Sequence, residues 1–314
     1  MKYLIVIIAI LFSQPAFAHQ DPDIAGYIEV EGGKIWYRLN GVQHLGKRPA
    51  IIVAHGGPGG THRGNMSYVQ FADQYPVILY DQLGSGKSSR PEGTEHWKVS
   101  RFIDEVDAIR SALNLDQVIM AGHSWGGTVA AEYALRQPDG LVGVILSSPL
   151  IDTAQWVADN DLWKQQLPKD VRDTLIKHEK AGTTNDPAYL KATEVFYQYH
   201  MCRKDPCPGA NYREGGADWN PVLYEYMWGT SDFFATGTLK TYSIADELSN
   251  ITAPTLMVCG EFDEAHPRSC HRFANSIQNA KTEIIPDAGH STMRENESLY
   301  LEVVGSFIQS VANQ

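Results

Sequence analysis

Ser124 stands in the run Gly122-His123-Ser124-Trp125-Gly126-Gly127, which has the spacing G-x-S-x-G. A β-branched, apolar run at 117–122 comes before it, and a run of good helix formers at 128–137 comes after. This context predicts a strand-to-helix elbow that pushes a serine into a strained turn with its hydroxyl exposed. The flanking glycines fit the elbow, because side chains there would strike neighbouring elements. A serine hydroxyl is a poor nucleophile and needs a base, itself oriented by a carboxylate. On such an elbow the expected chain order is serine, acid, histidine. Asp263, in GEFDE, follows the apolar run at 255–259, and His290, in DAGHST, follows the run at 282–286. Both then sit on the edge where open α/β sheets bind ligands. Among rivals, Asp287 lies too near His290 in sequence, and Glu261 and Glu264 flank Asp263 but point elsewhere. His55 and His123 adjoin loops of the site and read as structural.

Acyl transfer also needs two backbone N–H donors for the developing oxyanion. Trp125, the residue after the serine, supplies one. The other comes from HGGPGG at 55–60, with Gly57 the choice and Gly56 its rival. DQLGSGKSS at 81–89 is not a phosphate loop, because Asp81 occupies the position of the first glycine of G-x-x-x-x-G-K-S. It reads as a tight loop that buttresses the site. Cys259, Cys270, His266 and His271 lack zinc-finger spacing, so no metal is expected, and the chemistry needs no cofactor.

The elements that must position these residues follow from the patterning. GYIEVEGGKIWYRLNG at 26–41 alternates about a Gly32-Gly33 turn and reads as a β-hairpin. Short apolar runs then recur at 50–55, 77–81, 117–122, 141–148, 255–260 and 282–286, with helical periodicity at 100–114 and 128–137 between them. Strands alternating with helices imply an α/β fold, a mostly parallel sheet covered by helices. The alternation fails over 150–240, which is rich in Trp, Tyr, Asp and Lys and carries helical pieces such as DNDLWKQQL and DPAYLKATEVFYQYH. That stretch reads as a helical cap inserted into a core formed by 19–149 and 241–314.

Residues 1–18 have the form of a cleaved secretory signal: Lys2, an apolar stretch at 4–12, and Ala16-Phe17-Ala18 as a small-x-small site. The expected destination is the periplasm or the extracellular space, with no membrane span left after cleavage. The 314 residues are 43% hydrophobic and 20% charged, which indicates a globular chain with a large core. A net charge of −11 repels phosphate backbones, so nucleic acid is not an expected partner. Export permits disulfides. Cys202 and Cys207 are close enough to close a small loop, whereas Cys259, in an apolar run, reads as an inert core thiol.

HGGPGG, DQLGSGKS, GHSWGG and GEFDE, in this order and spacing, resemble the proline iminopeptidase branch of the α/β-hydrolases. The likeness extends into the insertion through FYQYHMCR at 196–203 and MWGTSDFFATGTLKTYSI at 227–244, so it covers nearly all of the chain after the signal. It implies an α/β-hydrolase fold with a helical cap, and an exopeptidase that removes an N-terminal residue, often proline, from short peptides. It also implies that two acidic groups read the substrate's free amine. Glu264 matches one position. Asp232, within SDFFATG, matches the other, although the family carries a glutamate there. Trp125, Phe234 and Tyr224 are candidates for an apolar slot around a proline ring. Two competing readings are a hydrolase of esters, lactones or amino-acid amides with the same machinery, and an inactive hydrolase-like binding protein.

Overall fold

A computed structural model describes residues 21–204, Cys207 and residues 218–313. The signal sequence expected at 1–18 lies outside the described residues. Strands β1 (Ile24–Val30) and β2 (Gly33–Asn40) form the hairpin, paired antiparallel from Ile24–Leu39 to Val30–Gly33. The chain continues through β3 (Ala50–Ala54), β4 (Val77–Asp81), α1 (Val99–Leu113), β5 (Val118–His123), α2 (Trp125–Leu135) and β6 (Leu141–Ser147). Helices α3 (Thr153–Lys164), α4 (Lys169–Ala181), α5 (Pro187–His200) and α6 (Pro221–Met227) then intervene before β7 (Thr255–Gly260). After β7 come α7 (Pro267–Asn275), β8 (Ala280–Ile285), α8 (Thr292–Glu295) and α9 (Glu297–Ala312).

The eight strands lie in the order β1-β2-β4-β3-β5-β6-β7-β8. β2 pairs antiparallel with β1 and β4, and every other pairing is parallel. Parallel strands need crossovers, and the crossover helices cover both sheet faces. This is why every residue of β3, β4 and β7 is buried, without the alternation of a half-exposed strand. Phe102, Val106, Val129 and Tyr133 pack on one face, and Tyr68, Tyr300, Val304 and Ile308 on the other. Trp163, Leu175, Tyr189, Phe196 and Phe233 form a separate core within the insertion. Buried Lys164 bridges Glu179 at 2.7 Å and Asp161 at 2.6 Å, which ties α3 to α4. Among the described residues no helix is long and apolar enough to cross a membrane.

Two local differences from the sequence reading have physical causes. Among the described residues the insertion contains four α-helices, whereas the sequence shows two helical pieces clearly. α4 carries few apolar residues and buries only Leu175 and His178 amid charge, and α6 is seven residues long, too short to display a 3.6-residue apolar period. Cys259 is not a free thiol. Helix α7 folds back on β7 and brings Cys270 to it, and the two form a disulfide with Cα atoms 6.7 Å apart. Cys202 and Cys207 also pair.

Candidate active site

β5 ends at His123 and α2 begins at Trp125, so Ser124 alone makes the turn between them. Its backbone is held at φ 56° and ψ −121°, a region that costs a non-glycine residue on the order of 1–3 kcal/mol. The amide of Ser124 donates to Ser147 O at 2.9 Å, and Gly127 N donates to Ser124 O at 2.8 Å. Strand and helix approach so closely that a Cβ on Gly122 would lie 1.9 Å from Gly126 O, and one on Gly126 would lie 2.1 Å from Ala54 O. The glycines around the serine therefore let three elements converge.

Asp263 and His290 lie on the loops after β7 and β8. His290 Nδ1–H donates to Asp263 Oδ1 at 2.7 Å, which leaves Nε2 for other work. Asp263 is wholly buried, yet donors surround its carboxylate: Ser148 Oγ at 2.5 Å, Gly260 N at 2.9 Å and Ala265 N at 2.8 Å. Burial alone pushes its pKa up. The charge and hydrogen bond of His290, with the bonds from Ser148 and Gly260, outweigh burial and hold the group below the ordinary carboxyl value. Trp163 of α3 donates its indole N–H to Asp263 O at 2.8 Å, so the insertion also grips this loop.

The histidine loop is clamped from two further sides. His290 N donates to His200 O at 2.7 Å and Ser291 N to Met201 O at 2.8 Å, where the chain leaves α5. Buried Glu295 accepts from Gly289 N at 2.8 Å and from Arg203 N at 2.6 Å, fastening the same two segments. His123, adjacent to the serine, donates from Nε2 to His290 O at 2.8 Å. Burial and the neighbouring His290 push its pKa down to about 3, so it stays neutral and serves here as a donor.

The loops on the other side of Ser124 are buttressed from β4. His55 Nδ1–H donates to Gly56 O at 2.8 Å, and its Nε2 accepts from Gln82 N at 3.0 Å. Burial lowers this histidine to about 4 and keeps it neutral. Gln82 bonds His55 O at 3.0 Å and receives the indole N–H of Trp125 at 2.8 Å. Asp81 accepts from His62 N at 2.7 Å and from Lys87 N at 3.0 Å, closing both loops. Gly57 and Trp125, the two oxyanion candidates, border the same cavity as Ser124, while Gly56 borders the adjoining cavity together with Gly57 and Ser124.

That first cavity has a volume of about 300 Å³ and also takes in His290, Leu150, Trp156, Tyr224, Trp228, Asp232 and Glu264. Its three indoles direct their N–H groups to Gln82 Oε1, Asp232 O and Ser231 O, so they present carbon surface to the cavity. Glu264 is wholly buried, and Asp232 receives the hydroxyl of Tyr224. The structure thus brings Ser124, His290, both oxyanion candidates and both acidic candidates around one space, with Asp263 behind His290. One expectation is corrected. Phe234 does not wall this cavity but packs on the insertion core beside Lys164. Trp156 and Trp228 take that place, because the helical phase of α3 and the end of α6 turn them inward.

The α/β hydrolase fold family matches residues 49–297. The chain is 37% identical over 286 residues to a proline iminopeptidase of Heyndrickxia coagulans, covering 91% of this chain and 99% of that one. It is 30% identical over 288 residues to the proline iminopeptidase of Saccharolobus solfataricus, covering 91% and 92%. Among solved structures it superposes on VinJ with TM-score 0.85 and 31% identity, covering 93% of this chain and 100% of that one. It superposes on the proline iminopeptidase of Mycobacterium smegmatis with TM-score 0.83 and 31% identity, covering 92% and 99%.

Ser148→Ala removes one hydroxyl donor from the buried carboxylate. A hydrogen bond to a charged group is worth about 1.5–3 kcal/mol, so hydrolytic kcat/KM should fall by roughly tenfold or more. An unchanged kcat/KM would show that Ser148 does not support this carboxylate.

Proposed function

This chain belongs to the proline iminopeptidase family of α/β-hydrolases, and on that premise we propose that it is a serine aminopeptidase that releases N-terminal residues, proline favoured, from short peptides. The observation that carries the proposal is the aromatic cavity of about 300 Å³, which has Ser124 and His290 on its wall and two carboxyl side chains, Glu264 and Asp232, around it. A ring fits between indole faces that present no donor, and an ammonium is drawn to the carboxylates.

Ser124 Oγ attacks the carbonyl of the first residue as His290 Nε2 takes its proton. Asp263, kept ionised by its four donors, stabilises the imidazolium through Nδ1–H. The amides of Gly57 and Trp125 receive the oxyanion. The intermediate collapses as His290 protonates the departing amine, and water then repeats the sequence to free the acyl group. The acidic pair at the amine accounts for cleavage at the first residue and not an internal one: a blocked amine forfeits its charge-assisted bonds to these carboxylates.

Export belongs to the same proposal, supported by Lys2, the apolar 4–12 stretch and Ala16-Phe17-Ala18. The intact mass of the secreted protein should match a chain beginning at His19, and a secreted or retained protein keeping residues 1–18 would contradict it.

The decisive panel is prolyl and alanyl arylamides, free and N-acetylated, beside p-nitrophenyl esters. Free prolyl arylamide should be the best substrate, and acetylation should cost at least about a hundredfold, as expected when a site built for a polar group loses it. Glu264→Gln should raise KM by about tenfold or more, through loss of a charge-assisted bond. Equal turnover of acetylated substrates, or turnover of esters alone, would overturn the aminopeptidase reading.

A further inference from the structure

A second cavity, of about 650 Å³, opens on the opposite side of Ser124 and His290. Its walls include Thr61, Asn65, Met201, Trp219, Met293 and Arg294. The two cavities share Gly57, Ser124, Tyr224, Asp232 and His290, so they form one cleft with the serine at the waist. The charges along the cleft are sorted. Glu264 borders only the smaller chamber, Asp232 lies at the seam, and Arg294 borders only the larger. The other ionisable side chains on the larger wall are two histidines and the Tyr224 phenol, which is neutral and bonded to Asp232. His123 is the neutral donor described above, and His290 faces the serine. Among the described residues that line the cleft, Arg294 is the one permanent cation, in a chain whose net charge is −11 and whose general field repels anions.

A peptide bound with its amine among Glu264 and Asp232 and its first carbonyl at Ser124 must send the rest of its chain into the larger chamber. A short peptide with a free C-terminus then carries its own two charges in the same order as the cleft, ammonium toward the acids and carboxylate toward the guanidinium. A planar guanidinium also matches a carboxylate in geometry. We infer that the larger chamber is the subsite for the departing peptide, and that Arg294 receives its C-terminal carboxylate, so that di- and tripeptides with free C-termini are the preferred substrates. The inference rests on the aminopeptidase reading, because that reading sets which end of the peptide enters which chamber. Arg294 acts here as a specificity residue and takes no part in bond breaking.

The test compares Pro-Xaa dipeptides and Pro-Xaa-Xaa tripeptides with their C-terminal amides, using wild type, Arg294→Gln and Arg294→Lys. The readout is the ratio of kcat/KM for acid over amide, which divides out any general loss of folding or activity in a variant. Wild type should favour the free acid by about tenfold, chiefly through KM, as for a charge-assisted hydrogen bond. Arg294→Gln should bring the ratio to about one, and Arg294→Lys should leave it in between. Equal turnover of acids and amides by wild type, or a full preference retained by Arg294→Gln, overturns the subsite while leaving the aminopeptidase standing. Absence of turnover of every free-amine substrate, arylamides included, overturns both.

Discussion

A carboxylate with no solvent exposure must find its partners inside the protein or become protonated. Asp263 finds them on four sides: the hydroxyl of Ser148 at the end of β6, the amides of Gly260 and Ala265 around its own loop, and the imidazole of His290 beyond β8. These donors arrive on three stretches of chain, so the ion can persist only when β6, the loop after β7 and the histidine loop are in register. The same strand end serves the serine, because Ser147 O holds the amide of Ser124 while the next residue holds Asp263. Ser124 and Asp263 are thereby referred to one pair of adjacent residues, and the geometry between them is as stiff as the sheet.

The helical insertion is joined to this centre as well as covering it. Trp163 bonds the backbone of Asp263, and the chain leaving α5 pairs with residues 290 and 291. Glu295 fastens that pairing from below, since its two oxygens hold one amide from each segment. Burial pushes the Glu295 pKa up while those amides draw it down, and the net position is raised. The disulfide Cys202–Cys207 begins one residue beyond Met201, and Cys259–Cys270 closes the loop that bears Asp263 and Glu264. Both covalent links therefore stand beside segments that shape the cleft, where loop freedom would blur the site most.

The central strands β3, β4, β5 and β7 are legible from the chain because each is a short, continuous apolar run, as burial on both sheet faces requires, and β1 and β2 are legible from their alternation about a turn. The positions of Ser124, Asp263 and His290 follow from local signals, a glycine-flanked elbow and two loops at strand ends. Their supporters do not. Ser148 reaches Asp263 across 115 residues and His123 reaches His290 across 167, and both act through partners that no local pattern names. Ser148 reads as the last residue of an apolar run, and His123 as an awkward neighbour of the serine. The pocket aromatics are opaque for another reason. The insertion holds many aromatic residues, and only the packing of α3 against α6 decides that Trp156 and Trp228 face the cavity while Phe234 turns to the insertion core. Cys259 misleads because an apolar strand context does not reveal that α7 will fold back on it.

The proposed chemistry turns on Ser124 being made nucleophilic by His290. The most direct test is labelling of the native protein with a fluorophosphonate probe, followed by peptide mapping. One adduct should form, on Ser124, and it should disappear in His290→Ala and form much more slowly in Asp263→Asn. An adduct on another residue, or labelling of Ser124 at an undiminished rate without His290, would contradict the assignment of nucleophile and base.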